Sequence, residues 1–82
     1  MSARIDPPSA FTLDPLEDQD WDAAVLAAVN DPDFSHVETD RDLGWLSLCN
    51  RRQEFYAWIG RVDGKLAMVR NVGGGMRELK WL

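Results

Sequence analysis

The dipeptide Asp63-Gly64 constrains the fold of this chain more than any other feature of its sequence. It separates two β-rich runs, one ending at Val62 and one beginning at Lys65. Both central residues of a type I′ turn need φ > 0, and an Asp-Gly pair between two strands is the strongest local signal for such a hairpin. The turn also sets the register, because Val62 must face Lys65 and every later pair of the hairpin follows from that one.

This register divides the side chains of the hairpin between two faces. One face carries Phe55, Ala57, Ile59 and Arg61 against Val72, Arg70, Met68 and Leu66. The other carries Tyr56, Trp58, Gly60 and Val62 against Asn71, Val69, Ala67 and Lys65. Both faces hold apolar bulk. We expect the inner face to be the one with Phe55, Ile59, Leu66 and Met68.

A helix is predicted over residues 15–30. Asp14 suits the N-cap, Pro15 the first helical position and Glu17 the acid of a capping box, while a start at Asp18 or Asp20 after a short turn is the alternative. An apolar stripe with helical spacing is predicted to face the rest of the fold: Trp21, Ala24, Val25, Ala28 and Val29. Asn30 and the step Asp31-Pro32 should end the helix, because proline cannot continue the backbone ladder.

The pattern after Pro32 changes to period two, which is typical of strands. Strands are predicted near residues 34–38, 45–49, 54–62, 65–72 and 76–82, with polar or glycine-rich turns between them. We therefore expect an α+β fold in which one N-terminal helix packs on a four- or five-stranded antiparallel meander. Residues 14–82 should form this single domain, and residues 1–13, with Pro7-Pro8, an extended arm.

The length and the cysteine content limit the class of protein further. A chain of 82 residues has room for one domain. Its single cysteine, Cys49, excludes an intrachain disulfide, and this favours a reducing, cytoplasmic compartment. The N-terminal residues lack the apolar segment of a signal peptide, and the apolar run from Ala23 to Val29 is too short to span a membrane.

Sites for metals, cofactors and catalysis are poorly represented. One His and one Cys cannot form an ordinary zinc site. The run Asp18-x-Asp20-x-Asp22 resembles the opening of a calcium loop but has Ala23 at the glycine position and Val29 at the closing glutamate. Ser35 and His36 are neighbours on a predicted strand and so point to opposite faces. We expect no metal, no cofactor and no enzymatic activity.

The charge of the chain is divided between its two halves. The net charge is −5, but residues 1–42 carry −9 and residues 43–82 carry +4. The acidic half supplies the predicted helix, and the basic half supplies most of the predicted sheet. This division generates two hypotheses about function.

The first hypothesis is a small protein-binding inhibitor or adaptor that presents an acidic surface to a basic partner, with carboxylates in the place of phosphates. Its size and charge are those of phage-type inhibitors of bacterial defence systems, such as anti-CRISPR proteins, and equally of immunity proteins. The partner-binding residues would be Asp14, Glu17, Asp18, Asp20, Asp22, Asp31, Asp33, Glu38, Asp40 and Asp42.

The second hypothesis is a nucleic-acid-binding protein that uses a basic, aromatic sheet. Aromatic rings can stack on bases while arginines neutralise phosphates. The residues that would do this are Arg51, Arg52, Tyr56, Trp58, Arg61 and Arg70. The order of these residues differs from that of the common RNA-recognition strand.

Overall fold

The computed structural model describes residues 13–40, 42, 44–52, 54–73 and 76–82, and these form one helix and five strands. A 3₁₀ turn at Asp18–Asp20 leads into the helix α1 (Trp21–Val29). The strands are β1 (His36–Asp40), β2 (Trp45–Cys49), β3 (Tyr56–Val62), β4 (Lys65–Gly73) and β5 (Met76–Trp81). They lie in the order in which they occur in the chain, and each pairs antiparallel with the next. The predicted α+β meander is confirmed, whereas most of the predicted arm lies outside the described residues.

The hairpin of β3 and β4 has the predicted turn and register. Asp63 has φ 52° and Gly64 has φ 77°, the two positive values that a type I′ turn requires. Val62 faces Lys65, and the pairing continues without interruption to Tyr56 and Asn71. The faces of the hairpin are therefore those derived from the sequence.

The segment before the helix is extended, so the predicted start at Asp14 is wrong and the later, alternative start is correct. Asp14 exchanges two backbone hydrogen bonds with Arg61 of β3, at 2.7 and 3.0 Å. The Leu16 N–H donates to the Gly44 carbonyl at 2.6 Å. Because these partners already satisfy the backbone groups of Asp14 and the N–H of Leu16, a helical conformation would add no hydrogen bonds for them. The helix ends as predicted, at Asn30 before Asp31-Pro32.

The core lies between α1 and one face of the sheet. From the helix it receives three side chains (Trp21, Ala24 and Ala28), and from the sheet Leu46, Leu48, Ala57, Ile59 and Met68. Ala24 and Ala28 are fully buried. Because alanine has no side chain beyond Cβ, the helix can approach the sheet closely along this line.

Three residues predicted for the inner surface are exposed instead. Val25 is 37% exposed and Val29 is 61% exposed, on the side of α1 away from the sheet. The helix is apolar on nearly every side, and the phase set by Trp21, Ala24 and Ala28 turns both valines outward. Phe55 precedes the first residue of β3 and is 41% exposed. Leu66 is half-buried against the core, as its predicted face requires.

The opposite face of the sheet is also buried along β3 and β4. Trp58 is 3% exposed, and Val69 and Ala67 are completely buried. At Gly60 a Cβ atom would lie 2.6 Å from Cγ of Leu13 and 2.9 Å from the Asp14 carbonyl oxygen. Glycine at this position therefore makes room for the segment before the helix, which pairs with β3 at Asp14.

Two leucines provide a matched test of this packing. We expect Leu46→Ala to destabilise the fold by about 2–5 kcal/mol, because Leu46 is fully buried and its truncation leaves a cavity. Leu26→Ala should change the stability by at most about 0.5 kcal/mol, because Leu26 is 61% exposed. Chemical denaturation followed by tryptophan fluorescence measures both. Equal losses would contradict the orientation of α1.

Candidate functional site

An ion pair on the inner face of the sheet holds the start of the helix. The Arg61 guanidinium donates two hydrogen bonds to Asp20, from Nε to Oδ2 at 2.6 Å and from Nη2 to Oδ1 at 2.9 Å. Its Nη2 lies 3.2 Å from Oε2 of Glu17, and its Nη1 donates to the Gly64 carbonyl at 2.9 Å. Bidentate pairing of this kind fixes both groups in orientation as well as distance.

Asp20 is held in its charged form by this arrangement. The hydrogen bonds from Arg61, together with the one that the Glu17 N–H donates to Oδ2 at 2.9 Å, lower the pKa of Asp20 below its ordinary value of 3.8. Burial acts against them but is outweighed. Asp20 therefore has a structural role: it caps the first turn and attaches it to β3.

A second arginine on the same face of the sheet holds the end of the helix. The Arg70 Nη2 donates to Oδ2 of Asp33, and its Nη1 lies 3.9 Å from Oδ2 of Asp31. The guanidinium also lies over the Phe34 ring, 5.1 Å from its centroid. Asp31 is buried, and its Oδ1 accepts the Asp33 N–H at 2.9 Å in a tight turn. We call Arg61 with its carboxylates the first clamp and Arg70 with its carboxylates the second clamp.

The clamps bring some carboxylates of the acidic half of the chain into contact with arginines of the basic half. Asp20 and Asp31 were predicted as partner-binding residues, but the fold buries both of them against arginines. Glu17 and Asp33 are exposed and also contact those arginines. The acidic and basic halves therefore neutralise each other at the two ends of α1, and the other acidic side chains of residues 1–42 that the structure describes are exposed.

The outer face of α1 combines exposed apolar and acidic side chains. Leu26 and Val29 are each 61% exposed and Val25 is 37% exposed. With Asp22 they follow the spacing i, i+3, i+4 and i+7, which places all four on one side of a helix. Asp18, one turn earlier, and Asp22 are exposed, and neither forms an ion pair with a described residue. These four residues of α1, together with Asp18 in the 3₁₀ turn before it, are called the outer face of α1.

The apolar part of this face was missed by the sequence reasoning. Its signal was present, since Ala23 to Val29 are seven consecutive apolar residues and a helix can turn only one side toward a sheet. The pattern does not show the phase of the helix, that is, which of its sides faces the sheet. Trp21 and the two clamps set the phase, and they leave Val25, Leu26 and Val29 outside.

In the described part of the chain, the other acidic residues predicted to bind a partner do not form one continuous surface with the outer face of α1. Asp14 is exposed and is bound to β3 through its backbone. Glu38 lies on β1 and Asp42 in the turn that follows; both are exposed, and both have a partner. Asp40 ends β1, and its side chain lies outside the described residues.

The basic residues of the nucleic-acid hypothesis are dispersed. Trp58 is 3% exposed, and Arg61 and Arg70 serve in the clamps with side chains only 23% and 17% exposed. Tyr56 is half-buried. Arg51 and Arg52 are exposed together in the turn between β2 and β3. The structure therefore does not bring the six residues onto one open surface.

The surroundings of Cys49 do not favour a nucleophilic role for its thiol. Burial, and then the charge of Glu38, raise the pKa of this thiol above its ordinary value of 9.0. A thiol with a raised pKa is a poor nucleophile at neutral pH. Cys49 faces His36 across the β1–β2 ladder, but His36 is exposed.

A groove of about 480 Å³ opens beside the second clamp. Its walls are the rings of Phe34 and Phe55, with Pro32, Asn50 and Arg70 between them. The Asn50 side chain is already used, because its Oδ1 accepts the N–H groups of Glu54 and Phe55 at 2.7 and 3.0 Å. Asp33 and Asn71 complete the lining, so the groove is partly polar and partly apolar.

The clamp at Asp20 predicts a specific pH dependence. A carboxyl group with a lowered pKa in the folded state stabilises the fold above its unfolded pKa, and this contribution is lost as the pH falls through the folded pKa. We expect Asp20→Asn to be less stable than the unsubstituted chain at neutral pH, and the difference to shrink as the pH falls below 3.8. Urea denaturation at a series of pH values measures it. Asp18→Asn is the exposed control, and a difference for Asp20→Asn that is constant with pH would contradict the clamp.

Burial of Trp58 predicts that its removal acts on stability. We expect Trp58→Ala to cost about 3–5 kcal/mol, because the side chain is 3% exposed. Trp81→Ala, at a site that is 51% exposed, should cost much less. Thermal unfolding measured by circular dichroism distinguishes them. A negligible loss of stability for Trp58→Ala would contradict its burial and favour a binding role for this ring.

Among the described residues, no helix has both the length and the apolar character that crossing a membrane requires. Within the same part of the chain, no three His, Cys, Asp or Glu side chains are grouped as a metal site would need. Comparison with protein-family models, with curated proteins and with solved structures found no match.

Proposed function

We propose that this chain is a non-enzymatic protein-binding adaptor or inhibitor that docks the outer face of α1 on a basic partner protein. The observation that carries the proposal is the exposure of Val25, Leu26 and Val29 beside Asp18 and Asp22. A contiguous apolar surface with a polar rim is typical of protein-binding sites. Leu26 and Val29 remain more than half exposed although the same helix buries two alanines completely.

The apolar and acidic side chains have separate roles in this proposal. Desolvation of Val25, Leu26 and Val29 supplies most of the affinity, as buried apolar anchors do at interfaces. Asp18 and Asp22 steer association and select a partner with lysines or arginines around an apolar centre. The proposal includes an inhibitor of a nucleic-acid-binding complex, of the anti-CRISPR kind, in which these carboxylates stand in for phosphates.

The acidic residues of the clamps are left out of this binding site. Asp20 and Asp31 are buried, and Glu17 and Asp33 contact Arg61 and Arg70. A partner that took these carboxylates would first have to break the attachment of the helix. The same contacts weigh against the nucleic-acid alternative, because the two arginines are engaged and Trp58 is buried.

The test is capture of a partner from the native cell, followed by affinity measurement with that purified partner. We expect Leu26→Ser and the double variant Asp18→Lys/Asp22→Lys each to weaken binding at least about tenfold, since loss of a central interface anchor costs on the order of 1–2 kcal/mol or more. Only the charge-reversed variant should also slow association at low salt.

Matched controls separate this surface from general effects. Phe55→Ser removes an exposed apolar side chain elsewhere, and Glu54→Lys reverses an exposed acid in another turn. Both should bind as the unsubstituted chain does. Equal binding by the α1 variants would refute the proposal. A salt-sensitive mobility shift with nucleic acid, lost on Arg51→Glu/Arg52→Glu, would establish the alternative.

A further inference from the structure

Among the described strands, β5 lies at one edge of the sheet. β5 pairs with β4 on one side, and among the described strands none lies on its other side. Trp81 is 51% exposed and Leu82 is 45% exposed at the end of this edge. An open strand presents unpaired N–H and C=O groups, and it pairs readily with a further strand unless its side chains prevent this.

One hydrogen bond determines which backbone groups of β5 point outward. The Leu82 N–H donates to the Leu66 carbonyl at 3.1 Å, so residue 82 is directed toward β4. Successive residues of a strand direct their backbone groups to alternate sides. The N–H and C=O groups of Arg77, Leu79 and Trp81 are therefore directed away from β4. An antiparallel partner of identical sequence must place these odd-numbered residues opposite odd-numbered residues.

The charges of β5 select one of the registers that this rule permits. When two copies are centred on Leu79, Glu78 of each lies opposite Lys80 of the other, and Arg77 lies opposite Trp81. The nearest permitted register on one side places Glu78 opposite Glu78, and the nearest on the other side places Lys80 opposite Lys80. Opposite charges across a strand pair are stabilising and like charges are destabilising, so only the register centred on Leu79 is complementary.

The faces of the sheet agree with this arrangement. Glu78 and Lys80 lie opposite Arg70 and Met68 in the β4–β5 ladder and are therefore on the side of the sheet that carries α1. Both are exposed. Arg77 and Trp81 are on the other side, where a cation beside an aromatic ring is also favourable. Lys65 already makes such a contact with Trp81, at 5.7 Å from the ring centroid.

We propose that β5 pairs antiparallel with β5 of a second copy of this chain, about a two-fold axis at Leu79. The two sheets then join into one sheet with both helices on the same side. The odd-numbered residues of each copy, centred on Leu79, then exchange backbone hydrogen bonds across the axis and close the edge. Charges on an edge usually discourage association, whereas this alternation suits an isologous contact. The dimer is reversible, since one strand pair is a small interface.

Charge exchange tests the proposed register. The 82-residue chain is examined by sedimentation equilibrium over a range of concentrations at low salt. Glu78→Lys and Lys80→Glu should each weaken dimerisation at least about tenfold, because each change creates two like-charge oppositions across the axis. The double variant Glu78→Lys/Lys80→Glu should restore it. Circular dichroism and one-dimensional NMR verify that every variant is folded.

Cross-linking tests the same contact without relying on charge. In a Cys49→Ser background, Leu79→Cys places two thiols directly across the axis, with Cα atoms about 5.5 Å apart, and should form an intermolecular disulfide on mild oxidation. Arg77→Cys places them at opposite ends of the contact and should not. The proposal is refuted by a monomer at all concentrations, by a dimer that both single charge variants leave intact, or by equal cross-linking at the two positions.

Discussion

Two arginines on one face of the sheet determine how the helix lies on it. Arg61 of β3 pairs with Leu66, and Arg70 of β4 pairs with Ala57, so the two guanidinium groups originate four strand positions apart, about 13 Å along the sheet. The nine residues of α1 span about 13–14 Å. The helix therefore fits between the arginines, with its first turn held by one and the turn after its last residue held by the other.

The position of the helix has consequences for both of its sides. Held at the two ends, α1 can place Ala24 and Ala28 directly on the sheet, where they are fully buried. The same orientation directs Val25, Leu26 and Val29 to the surface. The apolar patch that we propose as a binding site is thus a result of the ion pairs at the two ends of the helix. Partial burial of the arginines has a cost, since Nε of Arg70 is buried with no hydrogen-bond partner in the described part of the chain.

Local chemistry made much of the fold predictable. The Asp63-Gly64 turn, the register from Val62 and Lys65, and the end of the helix before Pro32 each depend on residues that are close in sequence. The start of the helix was predicted too early, because the residues that hold Asp14 and Leu16 extended are Arg61 and Gly44. The inward side of α1 was predicted only in part, because seven consecutive apolar residues give a helical pattern no unique phase.

The sequence by itself determined the order of the elements, the pairing of the central hairpin and the unequal distribution of charge. Only the tertiary structure decided which carboxylates belong to the fold and which belong to the surface. Asp20 and Arg61 are 41 positions apart, and Asp33 and Arg70 are 37 apart. Charge pairing over such separations depends on how the sheet brings distant residues together. In the sequence, Asp20 is equivalent to its neighbours Asp18 and Asp22; in the fold, it alone of the three is buried against an arginine.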